Sequence, residues 1–466
     1  DVLRKDWNFK GFVSSDWMAG LHDGVKGVNA GLDVEMPLQQ HYSQKELQAG
    51  LDSGEITKAQ IDEIVRRIIR TKLMYVTASN PQTYPKDLPA SEAHRELALE
   101  VAEKSMVLLK NENNFLPLSR SEIKTLAVIG PLADEENLGD HGSSYTHSPM
   151  VITILLGLQD YGEGKYTVVF DDGLNIESAK KSASNADAVV YVVGYAYNDE
   201  GEFLPSTKEL DYEAWGRGGD RPNLFLKPQD QKLLKEVLPA NKNSVVTLIG
   251  GSAIMTNDWE ELTPSIIMAW YPGIMGGQAL ANILFGEVNP SGKLPFTIPE
   301  EESHLPYFNP RVDSINYGYY HGYTLFDKEN IKPAYPFGFG LSYTDFEYDS
   351  ISLDKTQMGI NDTLNVSVQV TNTGTSAGEE VVQLYIGFSN STVDRPVKLL
   401  RGFEKRELAP GETKTIKIPV AARDLARYDP ATKQWVVDAM KYELYVGPSS
   451  SESDLLKSSF SIVNQL

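Results

Sequence analysis

Two acidic stretches carry the residue types that could do chemistry. In Gly11-Phe12-Val13-Ser14-Ser15-Asp16-Trp17, Phe12 and Val13 are strand formers and Asp16 closes the run. A loop rich in glycine and small residues follows, through Gly20 and Gly24 to Gly27. A carboxylate at the carboxyl end of a short strand, next to an indole, suits sugar chemistry. The carboxylate can attack or stabilise an oxocarbenium-like centre, and the Trp17 face can stack on the apolar face of a pyranose. The same pair also fits a turn cap at Asp16 and an ordinary core tryptophan, and local sequence alone leans to that plainer reading. The second stretch, Asp199-Glu200-Gly201-Glu202-Phe203, follows the apolar run Ala188 to Val193. Loops beyond the carboxyl ends of strands are where open α/β sheets collect functional groups. A charge run of this kind is also the ordinary mark of a solvated loop.

Other chemistries are excluded or weakly signalled. There is no cysteine, so disulfides, thiolate metal sites and cysteine nucleophiles are ruled out. The seven histidines form no metal-ligand pattern, and His22, His141 and His321 read as loop or packing residues. Gly139-Asp140-His141-Gly142-Ser143-Ser144 lacks the spacing and the Lys-Ser/Thr ending of a phosphate loop. A net charge of −21 argues against nucleic acid and anionic membrane as partners and is compatible with a neutral substrate. No apolar run approaches the roughly 18 residues of a membrane helix. The first residue is Asp rather than Met, so the chain reads as starting inside a larger polypeptide and the lack of a signal peptide is uninformative. A periplasmic or secreted setting is the expectation, and the sequons at Asn361, Asn365 and Asn390 matter only if the source glycosylates.

The elements that must position these residues follow from pattern. At 466 residues the chain is too long for one core. Residues 1–75 read as strand, loop, strand, helix, helix; Thr57 to Gln60 fits a capping box, after which Ile61, Ile64, Val65, Ile68 and Ile69 share a helical face. Residues 76–90 are a proline-rich linker. Between 91 and 300 a helix from Glu92 to Lys110 leads into apolar strand runs at Thr125, Tyr166, Ala188, Val245 and Ser265. Helices near Ser178–Ala186, Pro228–Leu238 and Gly277–Phe285 alternate with them, which predicts a mainly parallel sheet with helices on both faces. Residues 301–345 are an aromatic, glycine-rich connector, read as an interdomain packing strip. Residues 346–466 alternate, with Leu364, Val366, Val368 and Val370 on one face. Strand runs recur to Val463, as in a β-sandwich.

The run from Gly11 to Trp17, followed by Ala30-Gly31-Leu32-Asp33-Val34-Glu35-Met36-Pro37, resembles the nucleophile region of glycoside hydrolase family 3. Val107-Leu108-Leu109-Lys110-Asn111, Ala269-Trp270-Tyr271-Pro272-Gly273, Asn289-Pro290-Ser291-Gly292-Lys293-Leu294-Pro295 and Arg395-Pro396-Val397-Lys398 look like further landmarks of that family. The resemblance implies three domains in order: the end of a (β/α)8 barrel, an α/β sandwich, and a C-terminal fibronectin type III-like β-sandwich. It implies that Asp16 is the nucleophile, that Trp17 belongs to the substrate site, and that the general acid/base is the glutamate following Gly201, which is Glu202, with Glu200 as the alternative. It further implies a retaining, exo-acting β-glycosidase for terminal β-D-glucosyl residues of β-glucosides or cello-oligosaccharides, without cofactor or metal. A β-xylosidase or dual-specificity enzyme of the same family is an alternative, as is a non-catalytic carbohydrate-binding or assembly protein. A barrel needs about 250 residues, so the expectation is that an N-terminal barrel segment, with most residues gripping the reacting sugar, is missing from this chain. Assembly with a second copy is left open.

Overall fold

Three helices, each started by its own side-chain cap, and two short strands build the first part of the chain. The computed structural model describes residues 2–17, 20–78, 85, 87–138, 146–200, 221–309, 312, 314–388 and 390–463. The chain divides into two units, Asp1–Leu88 and Pro89–Leu466. The first contains β1 (Ser14–Trp17), α1 (Gly24–Ala30), β2 (Val34–Met36), α2 (Gln44–Ser53) and α3 (Lys58–Val76). Asp23 caps α1 by accepting from the Lys26 N–H, Ser43 caps α2 at Glu46, and the Thr57–Gln60 capping box starts α3 as expected. The strands β1 and β2 pair in parallel, Ser14 opposite Val34 and Trp17 opposite Met36.

Asp33 ties this unit together. Its side chain is fully buried and accepts from Arg4 Nη2 (2.5 Å), Arg67 Nε (2.6 Å) and the Val13 N–H (2.8 Å). Two guanidinium groups and a backbone amide on one buried carboxylate supply the partners that such a charge requires. Two departures from the sequence reading lie in this unit, and the Asp33 contacts account for the first. The Val13 N–H is taken by a side chain instead of a strand partner, so β1 begins at Ser14 and Asp16 lies inside the strand, not after it. The glycine-rich stretch after Trp17 contains the helix α1, not only loop. The apolar face of α3 is also split: Ile64 is buried with Val28 and Ile56, whereas Val65, Ile69, Leu73 and Met74 are exposed.

In the second unit α4 (Glu92–Ser105) ends earlier than expected. Met106 turns extended, and the chain becomes strand β3 (Val107–Asn111), antiparallel to β8 (Ser265–Met268). A helix through Lys110 would present only one face of Val107, Leu108 and Leu109 to a core. As an edge strand all three are buried. The chain continues through β4 (Thr125–Ile129), α5 (Ile154–Gly162), β5 (Thr167–Asp171), α6 (Ile176–Ser184), β6 (Ala188–Gly194), α7 (Tyr197–Glu200), α8 (Pro228–Val237), β7 (Ser244–Ile249), β8 (Ser265–Met268) and α9 (Gly276–Leu284). These strands make a six-stranded sheet in the order β3-β8-β7-β6-β4-β5, parallel except for β3. Alternate residues of β6 divide between two cores. Val190 and Val192 pack with α5 and α9, and Val189, Tyr191 and Val193 with α6 and α8.

The connector contains α10 (Gly322–Glu329). Beyond it lie β9 (Phe346–Leu353), β10 (Gln357–Gly359), β11 (Thr363–Asn372), β12 (Gly378–Gly387), β13 (Lys398–Leu408), β14 (Thr413–Ala421), β15 (Arg427–Asp429), β16 (Gln434–Val436), β17 (Lys441–Gly447) and β18 (Leu456–Val463). The two facing sheets run β10-β18-β17-β12-β13 and β14-β11-β9. Leu364, Val366, Val368 and Val370 point inward, as their alternation predicts. The sandwich is fastened to the α/β domain by charges. Glu379 receives Lys405 (3.2 Å) and Lys104 (3.3 Å), and buried Glu380 receives Lys293 (3.2 Å) and the Tyr348 hydroxyl (2.7 Å). The architecture is therefore the expected multidomain α/β plus all-β one. No helix of the described residues is long and apolar enough to cross a membrane.

Candidate active site

Asp16 is exposed on β1, and its Oδ1 accepts the N–H of its neighbour Trp17 at 2.7 Å. Among the described residues no lysine, arginine or histidine pairs with it. Trp17 is also exposed, at 62%, so it is not a core residue of its own unit. Ser15 supports the strand from below: its Oγ accepts the Met36 N–H at 2.9 Å and donates to the Asp16 carbonyl at 2.8 Å. A Cβ placed on Gly20 would lie 2.6 Å from the Asp16 nitrogen, so the returning chain passes Asp16 where only glycine fits. The result is an uncompensated carboxylate beside an open indole face, positioned by a strand that Asp33 pins from behind.

The second acidic stretch begins where β6 ends. Gly194 has φ 135°, a conformation L side chains rarely adopt, and a Cβ there would overlap the Ile249 carbonyl. Its N–H donates to Asp230 Oδ2 at 3.3 Å. The next turn carries Asp199, which accepts from the Ala196 N–H (3.0 Å) and pairs with Lys227 (2.9 Å). Glu200 points inward, its side chain 13% exposed. Its Oε2 accepts the Tyr271 hydroxyl (2.5 Å) and the Gly251 N–H (2.6 Å), while Oε1 faces Arg221 Nε at 2.9 Å. The Arg221 guanidinium in turn lies over the Tyr195 ring, 4.4 Å from its centroid. Burial, with Glu200 alongside, holds the Tyr271 phenol well above its ordinary range. The structure thus gathers Glu200, Arg221, Tyr271 and Gly251 beyond the carboxyl ends of β6, β7 and β8. Of these, sequence reasoning reached only Glu200, because Arg221, Gly251 and Tyr271 are distant in sequence and carry no motif spacing. Glu202 and the glycine-rich stretch 139–144 with His141 lie outside the described residues. His321 caps α10, consistent with a loop role, and His22 is exposed.

Asp230 has a measurable consequence. It is 1% exposed and burial pushes its carboxyl up to about 6, against the lowering influence of Lys227 and the Gly194 N–H, with Asp199 adding to the rise. A folded-state value above the unfolded one means the native state holds the proton more tightly, so this contribution to stability is complete below about pH 4 and is lost as pH rises to about 6. Asp230→Asn, which keeps an acceptor for Gly194, is expected to remove that loss. The gain relative to the parent should grow between pH 4 and 6 towards about 3 kcal/mol at most. Denaturant unfolding of both proteins across that range measures it, and parallel pH profiles would refute it.

The chain thus joins paired βα segments bearing an exposed carboxylate, a six-stranded α/β domain and a β-sandwich, a multidomain α/β plus all-β class of architecture. Comparison with known proteins places it. Residues 1–71 match the glycosyl hydrolase family 3 N terminal domain, residues 106–343 the glycosyl hydrolase family 3 C-terminal domain, and residues 380–450 the fibronectin type III-like domain. Thermostable beta-glucosidase B of Acetivibrio thermocellus is 37% identical over 98% of this chain and 60% of its own length. A beta-xylosidase of Formosa agariphila is 34% identical over 98% of the chain and 65% of its own length. The crystal structure of Beta-D-glucoside glucohydrolase from Trichoderma reesei superposes with a TM-score of 0.85 at 28% identity, covering 99% of this chain and 69% of that one. The chain belongs to glycosyl hydrolase family 3. It spans 60% and 65% of the length of the two relatives first named.

Proposed function

We propose that this chain forms part of a retaining, exo-acting β-glycosidase, with terminal β-D-glucosyl residues of β-glucosides or cello-oligosaccharides as substrate. The observation that carries the reading is the exposed Asp16 carboxylate, unpaired by any cation among the described residues, next to the exposed Trp17 ring. A carboxylate already neutralised by a cation would be a poorer nucleophile, and an open indole face is what a pyranose stacks on. In this reading an Asp16 oxygen bonds to the anomeric carbon as the glycosidic C–O bond breaks, and Glu202 gives its proton to the departing oxygen. Water then attacks the anomeric carbon, Glu202 takes its proton, and Asp16 leaves, so two inversions retain configuration. The relatives include proteins named beta-glucosidase and beta-xylosidase, so a xylosidase or dual-specificity enzyme is the nearest alternative.

A second reading of the acid/base rests on the geometry of Glu200. It is the described glutamate of the loop, it is turned inward at the carboxyl edge of the sheet, and three donors orient its carboxylate. Under the first reading that cluster shapes the loop; under the second it holds the acid/base itself.

Incubation with a 2-deoxy-2-fluoro-β-glucoside bearing a good leaving group tests the mechanism. The expected results are a glycosyl adduct on the peptide containing Asp16 and, with an ordinary substrate, the β-anomer as first product by proton NMR. First release of the α-anomer, or an adduct on another residue, would overturn the reading.

A further inference from the structure

The pairing of β1 with β2 is irregular at the carboxylate. Ser14 stands opposite Val34 and Trp17 opposite Met36, so Ser15 and Asp16 together face Glu35 alone. Two residues against one make a β-bulge, which is rare between parallel strands and re-aims the side chains it carries. The Glu35 carboxylate is engaged away from the bulge. It accepts the N–H groups of Gln40 (3.0 Å), His41 (3.0 Å) and Tyr42 (2.8 Å), the turn that follows β2.

Ser15 holds the bulge. Its Oγ accepts the Met36 N–H from the partner strand at 2.9 Å and donates to the Asp16 carbonyl at 2.8 Å. One hydroxyl therefore joins β2 to the peptide unit that leaves Asp16. On the other flank the chain at Gly20 presses on the Asp16 nitrogen, where an added Cβ would lie 2.6 Å away. The side chain of Asp16 is restrained far less. Among the described residues its carboxylate accepts only the Trp17 N–H. The direction of the carboxylate is thus set through its backbone, and the side-chain group that fixes this backbone is the Ser15 hydroxyl.

In a regular strand successive side chains point to opposite faces, and a slip of one residue turns a side chain from one face to the other. A bulge that loses its hydroxyl is free to relax towards regular pairing, and that relaxation re-aims Asp16. We propose that Ser15 is a positioning residue for cleavage of the glycosidic bond: it locks the bulge that directs an Asp16 oxygen at the anomeric carbon. The proposal rests on Asp16 being the nucleophile and adds no chemical step to that reading.

The test compares the full chain with its Ser15→Ala and Ser15→Thr variants. The kinetics of inactivation by the 2-deoxy-2-fluoro-β-glucoside separate binding of the sugar from formation of its bond to Asp16. Ser15→Ala is expected to slow bond formation about 10²-fold, the size of a misplacement of about 1 Å, while binding changes less than about threefold. Threonine keeps the hydroxyl and suits a strand, so Ser15→Thr should recover most of the rate. A merely supporting role would lower the thermal midpoint of Ser15→Ala and leave its rate per folded molecule unchanged. That result overturns the proposal, as does a Ser15→Thr chain no faster than Ser15→Ala. Labelling of the parent on a peptide without Asp16 overturns the nucleophile reading instead, so the labelled peptide tells the two failures apart. Crystal structures of the parent and of Ser15→Ala decide the geometry without turnover. Regular pairing or a displaced Asp16 carboxylate in the variant upholds the role of Ser15, and an unchanged bulge with an unchanged carboxylate overturns it.

Discussion

Asp16→Asn is expected to lower turnover of aryl β-glucosides by about four orders of magnitude, in whichever form of the protein is active, while leaving sugar binding and folding intact. The size of the effect follows from the role: without a covalent nucleophile the enzyme keeps only what binding and acid catalysis supply. The cleanness of the variant follows from the structure. Asp16 is exposed, makes no salt bridge among the described residues, and accepts only the neighbouring Trp17 N–H, which an asparagine oxygen can also accept. Its strand is held by Asp33, not by Asp16 itself. Circular dichroism and thermal midpoints should therefore match the parent. Small nucleophiles such as azide should restore part of the rate with inverted product configuration. A folded Asp16→Asn chain with near-normal turnover would remove Asp16 from the mechanism.

Glu202→Ala should slow β-glucosides with poor leaving groups by about 10²–10⁴-fold and activated aryl glucosides far less, because a proton is needed only where the departing oxygen is basic. The same comparison made on Glu200→Gln separates the two readings of the loop. If Glu202 is the acid/base, the Glu200 variant acts through a displaced loop, having lost its charge against Arg221 while keeping acceptors for Tyr271 and Gly251. Both substrate types should then slow to a similar extent. If instead the leaving-group dependence steepens only in the Glu200 variant, Glu200 is the acid/base and Glu202 is not. Equal losses on both substrate types in both variants would exclude either residue from proton transfer.

Much of the fold could be read from sequence because each central strand carries its own evidence. The runs at Ala188 and Val245 are apolar on both faces, which only a covered parallel strand accommodates. Two of the misreadings occurred where a distant group set the outcome. The helix expected to reach Lys110 stops at Ser105 because β8, more than 150 residues later, offers Val107–Asn111 an edge to pair with. Strand β1 starts late because a side chain 20 residues on takes the Val13 amide. The helix α5 was not expected, although Thr153 caps it, because its glycines weaken the helical pattern. Asp16 stood out through the family pattern around it. The cluster on Glu200 did not, since its partners come from three separate stretches that only the folded sheet brings together.

The charges between Glu379, Glu380 and their lysines bear on where this protein can be cut. Lys104 and Lys293 belong to the α/β domain, and their carboxylate partners Glu379 and Glu380 belong to β12 of the sandwich. Glu380 is 3% exposed, so its pair is little screened by salt and is made at the junction of the two layers. Ending the chain after the connector would not trim an appendage; it would strand cations that were shaped for company and uncover the apolar surface around them. The modular order legible along the chain is therefore a poor guide to dissection. In melting behaviour these two layers should count as one calorimetric unit.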